Sequence, residues 1–565
     1  MRRVILILFF LLPLLITAQN SYVLSFNEGD GLFYVEKKDL QFSSKEKLFQ
    51  HIRKIQSKQI KKGYVLTSLD SIRWQGDTAF VNLYLGEQFS TLQITFDEED
   101  RHLLRRAPRI SERLIARLPF SPEMVETMLH TVHNYLSNTG YPFAKVYLSV
   151  DKLQPGTSSA HLHIEKGSLI NITKIHIRGE TKVKEKYIQN AISIKEGNPY
   201  NSEEIQRISQ RVQQIQFINE IRPHEILFTP DGAEIYLYLE GEPVSSVNGI
   251  VGLQPNPVTE KTTVTGDIRL KLINVINQGE TLEMNWRSLQ PKTQELKIDF
   301  DFPFLFNTPF GVEAKFHLYK LDSTYLKTNF HLGVRYYFTG GSYLKAFYQS
   351  DNSNLLYGAN SLSLSGSNFA TVRTHNYGLG FHRHYVDYLP NPSTGLNINT
   401  DVSMGRRSSR LPESDTSTVT TTIRTNLHLE YFIPITRRNV IRLANHTTSY
   451  YAPEIYQNEL SRFGGLTTQR GFNEETLLAT TLTTFTLEYR FLVDKNSHAF
   501  AFYDQSIYEK NDGNYVRDTP FGFGVGYSFG TRLGIFSISY ALGKQFDNPI
   551  QIRDGKVHFG YIAYF

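Results

Sequence analysis

From about residue 245 to its last residue, the chain alternates apolar and polar side chains with a period of two. In the segment TLEMNWRSL, for example, Leu282, Met284 and Trp286 face one side of an extended strand, and three polar residues face the other. The segments LKIDFDFPF and IRTNLHLEY repeat this pattern. A period of two predicts β-strands, and few soluble sandwiches place so many charges on the second face. This pattern restricts the possible folds strongly.

A closed barrel that crosses a membrane explains both faces of these strands. Lipid contacts the apolar side chains, and a wet lumen accepts the charged ones. Closure also pairs every backbone group, which a hydrocarbon environment requires. Dividing the stretch at its polar turns yields about 16 strands, an even number as in bacterial barrels. We predict a 16-stranded antiparallel transmembrane β-barrel over residues 244–565. The alternatives are a soluble sandwich and a propeller, and a propeller would show a blade repeat.

The residues before the barrel alternate helical and strand patterns, with a repeat of about 75 residues. Each repeat reads as strand, helix, helix, strand, strand, although the first lacks a clear opening helix. The clearest helical segments are residues 44–63, 121–140 and 201–217. We predict three α+β units of one kind, at residues 19–88, 89–167 and 168–243.

Residues 1–18 have the composition of a secretory signal peptide. They combine a basic start, an apolar run from Val4 to Ile16, and the small residues Thr17 and Ala18. A membrane anchor helix would need about 20 apolar residues. The chain contains no cysteine, which favours a Gram-negative envelope over a disulfide-stapled secreted module. The net charge of +5, from evenly mixed charges, predicts no nucleic-acid partner.

The third unit resembles the POTRA domain, a periplasmic module that binds unfolded chains. The resemblance rests on the strand LINITKIHIRGET (169–181), which contains Gly179, and on the stretch GNPYNSEEI (197–205). The second unit also matches this pattern. POTRA-like units ahead of a C-terminal barrel resemble the BamA/TamA superfamily of outer-membrane assembly factors and secretion pores. This resemblance implies a location in the bacterial outer membrane, with the POTRA domains in the periplasm.

A long connection between the predicted strands 11 and 12 carries the sharpest motif of that superfamily. In FGGLTTQRGFNEET (463–476), Arg470, Gly471 and Phe472 match the "RGF" tip of the sixth extracellular loop. Gly464 and Gly465 match the glycines that precede this tip. The resemblance therefore implies that the connection is loop six.

Two acidic residues on the following strands match the superfamily as well. Glu488 in TLEYRF shares a strand face with polar residues, so it is expected to point into the lumen. Asp504 in FAFYDQSIY shares its face with Phe500 and Phe502, and Gln505–Ser506 stand where the family usually has a glycine nearby. We expect Arg470 to bind both carboxylates inside the barrel, because a guanidinium fork makes short, charge-assisted bonds there. The alternative is a solvated loop arginine.

The first and last predicted strands would meet at a seam where the barrel closes. The first, residues 245–257, is interrupted by Gly249, Gly252 and two prolines. The last, residues 556–565, contains Ile562 and ends on Phe565, which resembles the usual insertion signal of outer-membrane proteins. Glycine packs poorly and proline donates no hydrogen bond, so the seam is expected to open at low cost. An open edge is a template for another strand.

These features, with the resemblance, predict an assembly factor that inserts or folds unfolded outer-membrane proteins at its seam. The expected partners are these clients, outer-membrane lipid, and periplasmic or inner-membrane assembly partners. The alternative is a two-partner secretion pore that translocates a dedicated exoprotein. That branch usually has a plug helix and two POTRA units, whereas residues 19–43 look like strand and three units are predicted. The larger number of units resembles the TamA branch more closely.

Catalysis and cofactor binding are not expected. The sequence contains no P-loop, no GxSxG elbow and no HExxH motif. The histidine pairs His161 and His163, and His382 and His384, share strand faces but have no third ligand at metal spacing.

Overall fold

The computed structural model describes most of the chain. The described residues are 22–26, 32–34, 39–108, 117–154, 156–242, 244–255, 262–290, 293–322, 324–338, 341–356, 368–388, 391–412, 414–531 and 534–562. The predicted signal peptide and Phe565 lie outside them. The chain divides into two compact units, residues 1–171 with 199–203, and residues 172–198 with 204–565. None of the described helices is both long enough and apolar enough to span a membrane.

The first α+β unit contains one described helix on a four-stranded sheet. Its elements are β1 (Tyr22–Phe26), β2 (Leu40–Phe42), α1 (Lys45–Lys61), β3 (Ser68–Gln75) and β4 (Thr78–Tyr84). The sheet order is β2-β1-β4-β3, with β1 parallel to β4. Helix α1 begins after Ser44, whose hydroxyl accepts a hydrogen bond from the backbone N–H of Lys47. Its residues Leu48, Ile52 and Ile55 are spaced for one helical face and are buried.

The second α+β unit has the same sheet arrangement and two described helices. Its elements are β5 (Phe89–Phe96), α2 (Arg101–Arg106), β6 (Leu118–Pro119), α3 (Pro122–Ser137), β7 (Lys145–Lys152) and β8 (Gly156–Glu165). The sheet order is β6-β5-β8-β7, and β5 runs parallel to β8. Met128, Val132 and Leu136 of α3 pack on Leu92 and Leu162 of the sheet. Strand β7 is therefore an edge strand of this sheet.

The third α+β unit carries a three-stranded sheet in the order β10-β11-β9. Its elements are β9 (Ile172–Arg178), α4 (Glu185–Ala191), α5 (Ser202–Gln206), α6 (Ile208–Val212), β10 (Ile218–Thr229) and β11 (Gly232–Gly241). The prediction of one helix over 201–217 was wrong, since the structure has two short ones. At Arg207 the backbone N–H bonds to the carbonyl of Glu204, three residues back, and this tighter turn interrupts the α-helical ladder.

Within the described residues that follow, 17 strand segments form one antiparallel sheet. Its strands are β12 (Ser246–Pro255), β13 (Thr262–Ile273), β14 (Thr281–Gln290), β15 (Thr293–Phe302), β16 (Phe310–Leu321), β17 (Tyr325–Tyr337), β18 (Tyr343–Leu355), β19 (Thr371–Val386), β20 (Gly395–Arg410), β21 (Thr418–Pro434), β22 (Asn439–Tyr451), β25 (Thr481–Leu492), β26 (His498–Asn511), β27 (Tyr515–Asp518), β28 (Phe521–Thr531), β29 (Gly534–Lys544) and β30 (Lys556–Ile562). Segments β27 and β28 both pair with β26, one after the other, so they form a single interrupted strand. The predicted 16-stranded antiparallel barrel is confirmed.

The outer face of this sheet is apolar and the inner face is polar, the reverse of the arrangement in a soluble protein. On β25, Phe485, Leu487 and Tyr489 are exposed, whereas Thr484 and Glu488 are buried. Apolar side chains face outward to lipid and polar ones line the lumen, as a membrane barrel requires. The end strands of the sheet are β12 and β30, and no hydrogen-bonded ladder joins them among the described residues.

Helices of the third unit contact the turns at one end of the barrel. The ring of Tyr187 on α4 lies edge-on to that of Phe304, with centroids 5.7 Å apart. A Cβ on Gly279 would lie 2.1 Å from the Tyr187 ring, so the turn before β14 contacts this ring directly. Gln210 donates a hydrogen bond to the carbonyl of Val386, at 2.6 Å.

Candidate functional site

Loop six, defined here as residues 452–480, connects β22 to β25. It contains a 3-10 turn at Gln457–Glu459 and a short hairpin of β23 (Ser461–Phe463) and β24 (Leu477–Ala479). The residues that the sequence analysis singled out lie at the tip of this hairpin. The tip is therefore supported by regular pairing on both sides.

The glycine pair at the start of the tip makes a sharp bend. Gly464 and Gly465 have φ values of +113° and +94°, a region that other residues rarely adopt. The N–H of Gly464 donates to the hydroxyl of Thr468 at 2.8 Å, and the N–H of Gly465 donates to the carbonyl of Gln469 at 3.0 Å. The chain thus turns back on itself just before Arg470.

The structure brings Arg470, Glu488 and Asp504 together, and we call these three residues the latch. Nε and Nη2 of Arg470 donate to the two carboxylate oxygens of Asp504, each at 2.7 Å. Nη1 donates to Glu488 at 2.7 Å. The exposed fractions of Arg470, Glu488 and Asp504 are 8%, 3% and 2%. The guanidinium fork therefore joins the loop to two neighbouring strands in a nearly dry environment.

Glu488 also binds cations of the barrel wall. Nε of Arg490 donates to it at 2.7 Å, and Nη1 of Arg442 lies 3.7 Å away. Asp504 instead receives a hydrogen bond from the hydroxyl of Thr486, at 2.9 Å. The two acids thus differ. Glu488 is shared among three arginines, whereas Arg470 is the one cation that pairs with Asp504 among the described residues.

Phe502 is a site residue that the sequence analysis missed. The guanidinium carbon of Arg470 lies 3.5 Å from the centroid of its ring, a cation–π contact. The ring has room because Gly524 is its cross-strand partner on β28, and a Cβ there would approach the ring to 3.0 Å. Phe502 is therefore part of the site, and no local sequence pattern pointed to this role because the pairing with Gly524 depends on strand register.

A cross-strand row on the inner wall supports the backbone of the tip. The row consists of the register partners Thr486, Asp504, Gly522 and Gly543, on β25, β26, β28 and β29. The carbonyl oxygen of Gly471 lies 2.7 Å from the position of a Cβ on Gly543, and the ring of Phe472 lies 2.9 Å from it. Side chains at Gly522 or Gly543 would displace the loop, so these glycines let its backbone contact the wall.

The tip of loop six also contacts the last barrel strand, β30. The N–H of Gly471 donates to Nε2 of His558 on β30, at 3.1 Å. A Cβ on Gly560 would lie 2.2 Å from the side chain of Leu466. Neither His558 nor Gly560 was singled out from the sequence, because nothing in the local pattern places them beside loop six.

Gln469 and Ser506 add a further attachment beside the latch. The amide of Gln469 donates to the carbonyl of Asp504 at 3.3 Å, and the hydroxyl of Ser506 donates to the amide oxygen of Gln469. Both side chains are fully buried. Near this position the superfamily usually has a glycine. In this chain, Ser506 instead binds the side chain of Gln469 in loop six.

The predicted seam residues lie on the two end strands of the sheet. Gly249 and Gly252 pair with Ile268 and Thr265 of β13, and Ile562 pairs with Ile535 of β29. Phe565 lies outside the described residues. The structure therefore places these residues on β12 and β30 without a described contact between the strands.

The histidine pairs carry no metal geometry. His161 and His163 have ring centroids 4.7 Å apart, and His382 and His384 have centroids 6.1 Å apart. Within the described part of the chain, no group of three or more His, Cys, Asp or Glu side chains is placed to hold a metal ion.

Known proteins resemble parts or most of this chain in sequence or in fold. The POTRA family, described as surface antigen variable number repeat, matches residues 170–240. The outer membrane protein assembly factor BamA of Neisseria meningitidis serogroup B is 22% identical over 143 residues, which are 24% of this chain and 18% of that protein's length. The structure of CdiB from Acinetobacter baumannii has a TM-score of 0.50 at 14% identity, and the alignment covers 91% of this chain and 96% of CdiB. CdiB from Escherichia coli gives 0.49 at 14% identity, with the same shares covered.

Proposed function

We propose that this chain, which belongs to the BamA/TamA-like superfamily, receives unfolded outer-membrane proteins through its POTRA domains and folds or inserts them at the seam of its barrel. The chain lies in the outer membrane with its POTRA domains in the periplasm. The two candidate functions are assembly at the seam and secretion through the lumen.

The attachment of loop six inside the barrel is the observation that carries this proposal. The latch is buried, and the backbone of the tip lies on the inner wall from β25 to β30. Removing one partner of a buried ion pair costs about 3–5 kcal/mol. A loop attached in this way occupies the lumen. This arrangement favours client folding at the seam over transport of a client through the lumen.

The end strands have the properties that an opening seam needs. Strand β12 carries Gly249, Gly252 and Pro255 among its ten residues. Strand β30 has seven residues paired to β29. A client strand that adds to either edge would pair its backbone groups, and unpaired groups in lipid cost several kcal/mol each. Client folding therefore supplies the free energy, and no nucleotide is required.

The POTRA-like units offer edges for the client before it reaches the barrel. Tyr147 and Val150 of edge strand β7 have exposed fractions of 44% and 64%. Leu153, which follows this strand, is 53% exposed. Edge strand β10 exposes Ile221 and Leu227. An extended client segment can add to such an edge by β-augmentation, with backbone hydrogen bonds supplying affinity without sequence selectivity.

A cross-link across the seam tests the proposal. The chain has no cysteine, so cysteines at Gly252 and Ile562 are the only thiols available to a short bifunctional reagent. We expect the cross-linked protein to lose assembly of a client barrel into liposomes. Cysteines at Ile538 and Phe559, which are register partners on β29 and β30, give the control, because they join β30 to its neighbour without closing the seam.

Full assembly activity after complete cross-linking at Gly252 and Ile562 would contradict the seam mechanism. The alternative, a two-partner secretion pore, predicts that the seam cross-link leaves export intact. Depletion of the protein followed by outer-membrane proteomics separates the two functions, since an assembly factor lowers many barrels and a dedicated pore lowers one secreted protein.

A further inference from the structure

We propose that Arg407 and Glu459 form a second attachment of loop six, separate from the latch, and that the loop is thereby held across the lumen at two places. Arg407 lies on β20, and Glu459 lies in the 3-10 turn at the start of the loop. This inference goes beyond the proposed function and holds for assembly and for secretion alike.

The two side chains form a buried, bidentate ion pair. Nε of Arg407 donates to Oε1 of Glu459 at 2.8 Å, and Nη2 donates to Oε2 at 2.6 Å. Arg407 is fully buried, and the side chain of Glu459 is 4% exposed. A parallel pair of charge-assisted bonds determines orientation as well as distance, so the pair positions the loop segment.

The remaining hydrogen-bonding groups of the pair are also used. Nη1 of Arg407 donates to the hydroxyls of Ser409 and Thr420, at 3.2 and 3.4 Å. Glu459 accepts from the hydroxyl of Tyr450 at 2.6 Å and from the N–H of Tyr456 at 3.0 Å. Buried charges are tolerated only with such partners. The arrangement is that of a built site rather than a chance surface contact.

Asn458 extends the attachment to other strands of the wall. Its amide donates to the hydroxyl of Ser353 on β18 and to the carbonyl of Ala370 just before β19, both at 2.8 Å. The N–H of Gln457 donates to the carbonyl of Asn368 at 2.8 Å. The start of loop six is therefore bonded to the sector from β18 to β20.

The two attachments lie on different sectors of the barrel. Strands β18 to β20 are the seventh to ninth of the 16 strands, whereas the latch and His558 belong to the twelfth to sixteenth. A loop bonded to both sectors crosses the lumen. Releasing the latch alone would leave the first segment of the loop in place, so clearing the lumen requires both attachments to break.

Cysteine labelling measures the second attachment directly. Leu460 follows Glu459 and is 6% exposed, and Leu460→Cys introduces the only thiol into the chain without overpacking the site. In this background, we expect Arg407→Gln to accelerate labelling by an external maleimide about tenfold or more, because local opening governs the reaction. Arg406→Gln is the matched control, since Arg406 is the exposed neighbour on the same strand.

Three further variants separate attachment from general destabilisation. Arg470→Ala should leave the labelling rate at Leu460→Cys unchanged, because the latch holds another part of the loop. Glu459→Gln should accelerate labelling without altering the barrel wall, and the charge exchange Arg407→Glu with Glu459→Arg should restore part of the protection. Labelling of Arg407→Gln and Glu459→Gln at the unsubstituted rate, in barrels that remain folded by heat-modifiability, would overturn the inference.

Discussion

The carbonyl oxygen of Arg470 lies 1.9 Å from the position that a Cβ atom would take on Gly522. The loop backbone therefore occupies the space of the missing side chain, and the wall and the loop cannot both stay in place if that side chain is added.

Gly522→Ala should consequently displace the tip of loop six and weaken the latch. We expect lower client assembly and faster proteolysis of the loop, with the barrel still folded. Gly560→Ala is the matched control, because the new methyl group would meet only the far end of the Leu466 side chain. Equal effects of the two substitutions would show that the contact at Gly522 is not important.

Arg470→Ala should release the tip, because Asp504 would lose the guanidinium that binds both of its carboxylate oxygens. Removing one partner of a buried pair costs about 3–5 kcal/mol, which we expect to appear as a lower thermal midpoint of the barrel and reduced assembly, with POTRA folding intact. Arg470→Lys retains the charge without the fork and should be intermediate. Arg462→Ala changes an exposed arginine of the same loop and should match the unsubstituted protein.

Glu488→Gln and Asp504→Asn should have different consequences. Glu488 neutralises three arginines of the lumen, so its amide variant leaves excess positive charge and should destabilise the barrel most. Asp504 binds Arg470 through two of the three bonds of the fork, so its variant should mainly free the loop. Thermal unfolding and loop proteolysis, measured on both variants, distinguish these outcomes, and the reverse ranking would contradict the charge argument.

Phe502→Leu should weaken the latch less than Arg470→Ala does. A desolvated cation–π contact contributes about 0.5–2 kcal/mol, and leucine keeps most of the apolar volume. Phe500→Leu is the comparison, because its ring centroid lies 5.9 Å from the guanidinium carbon, against 3.5 Å for Phe502. We expect proteolysis of loop six to accelerate more in the Phe502 variant.

Tyr187→Ala should loosen the contact between the third POTRA-like unit and the barrel turns. The variant removes the ring that touches Phe304 and the backbone at Gly279. We expect faster proteolytic cleavage between β11 and β12, while barrel heat-modifiability stays normal. Tyr238→Ala is the control, since Tyr238 lies on the POTRA sheet, where its ring contacts Arg222.

The sequence by itself determined the fold class and the position of loop six. Alternation with period two, seen in Leu282, Met284 and Trp286, specifies which side chains share a face, and charged residues on the second face require a wet lumen. The same rule assigned Glu488 to the lumen, and the polar turns between strands led to the count of 16.

The tertiary structure alone decided which lumen residues meet. A local pattern predicts which face of a strand a side chain lies on. It does not predict the position of that side chain along the barrel axis or which side chains it contacts, because these depend on the register and stagger of strands far apart in sequence. Gly471 and His558 are 87 residues apart, and Arg407 and Glu459 are 52 apart. Gly522 and Gly543 lie side by side, in contact with the backbone of loop six, only because β28 pairs with β29. The sequence therefore could not predict which residues support the latch.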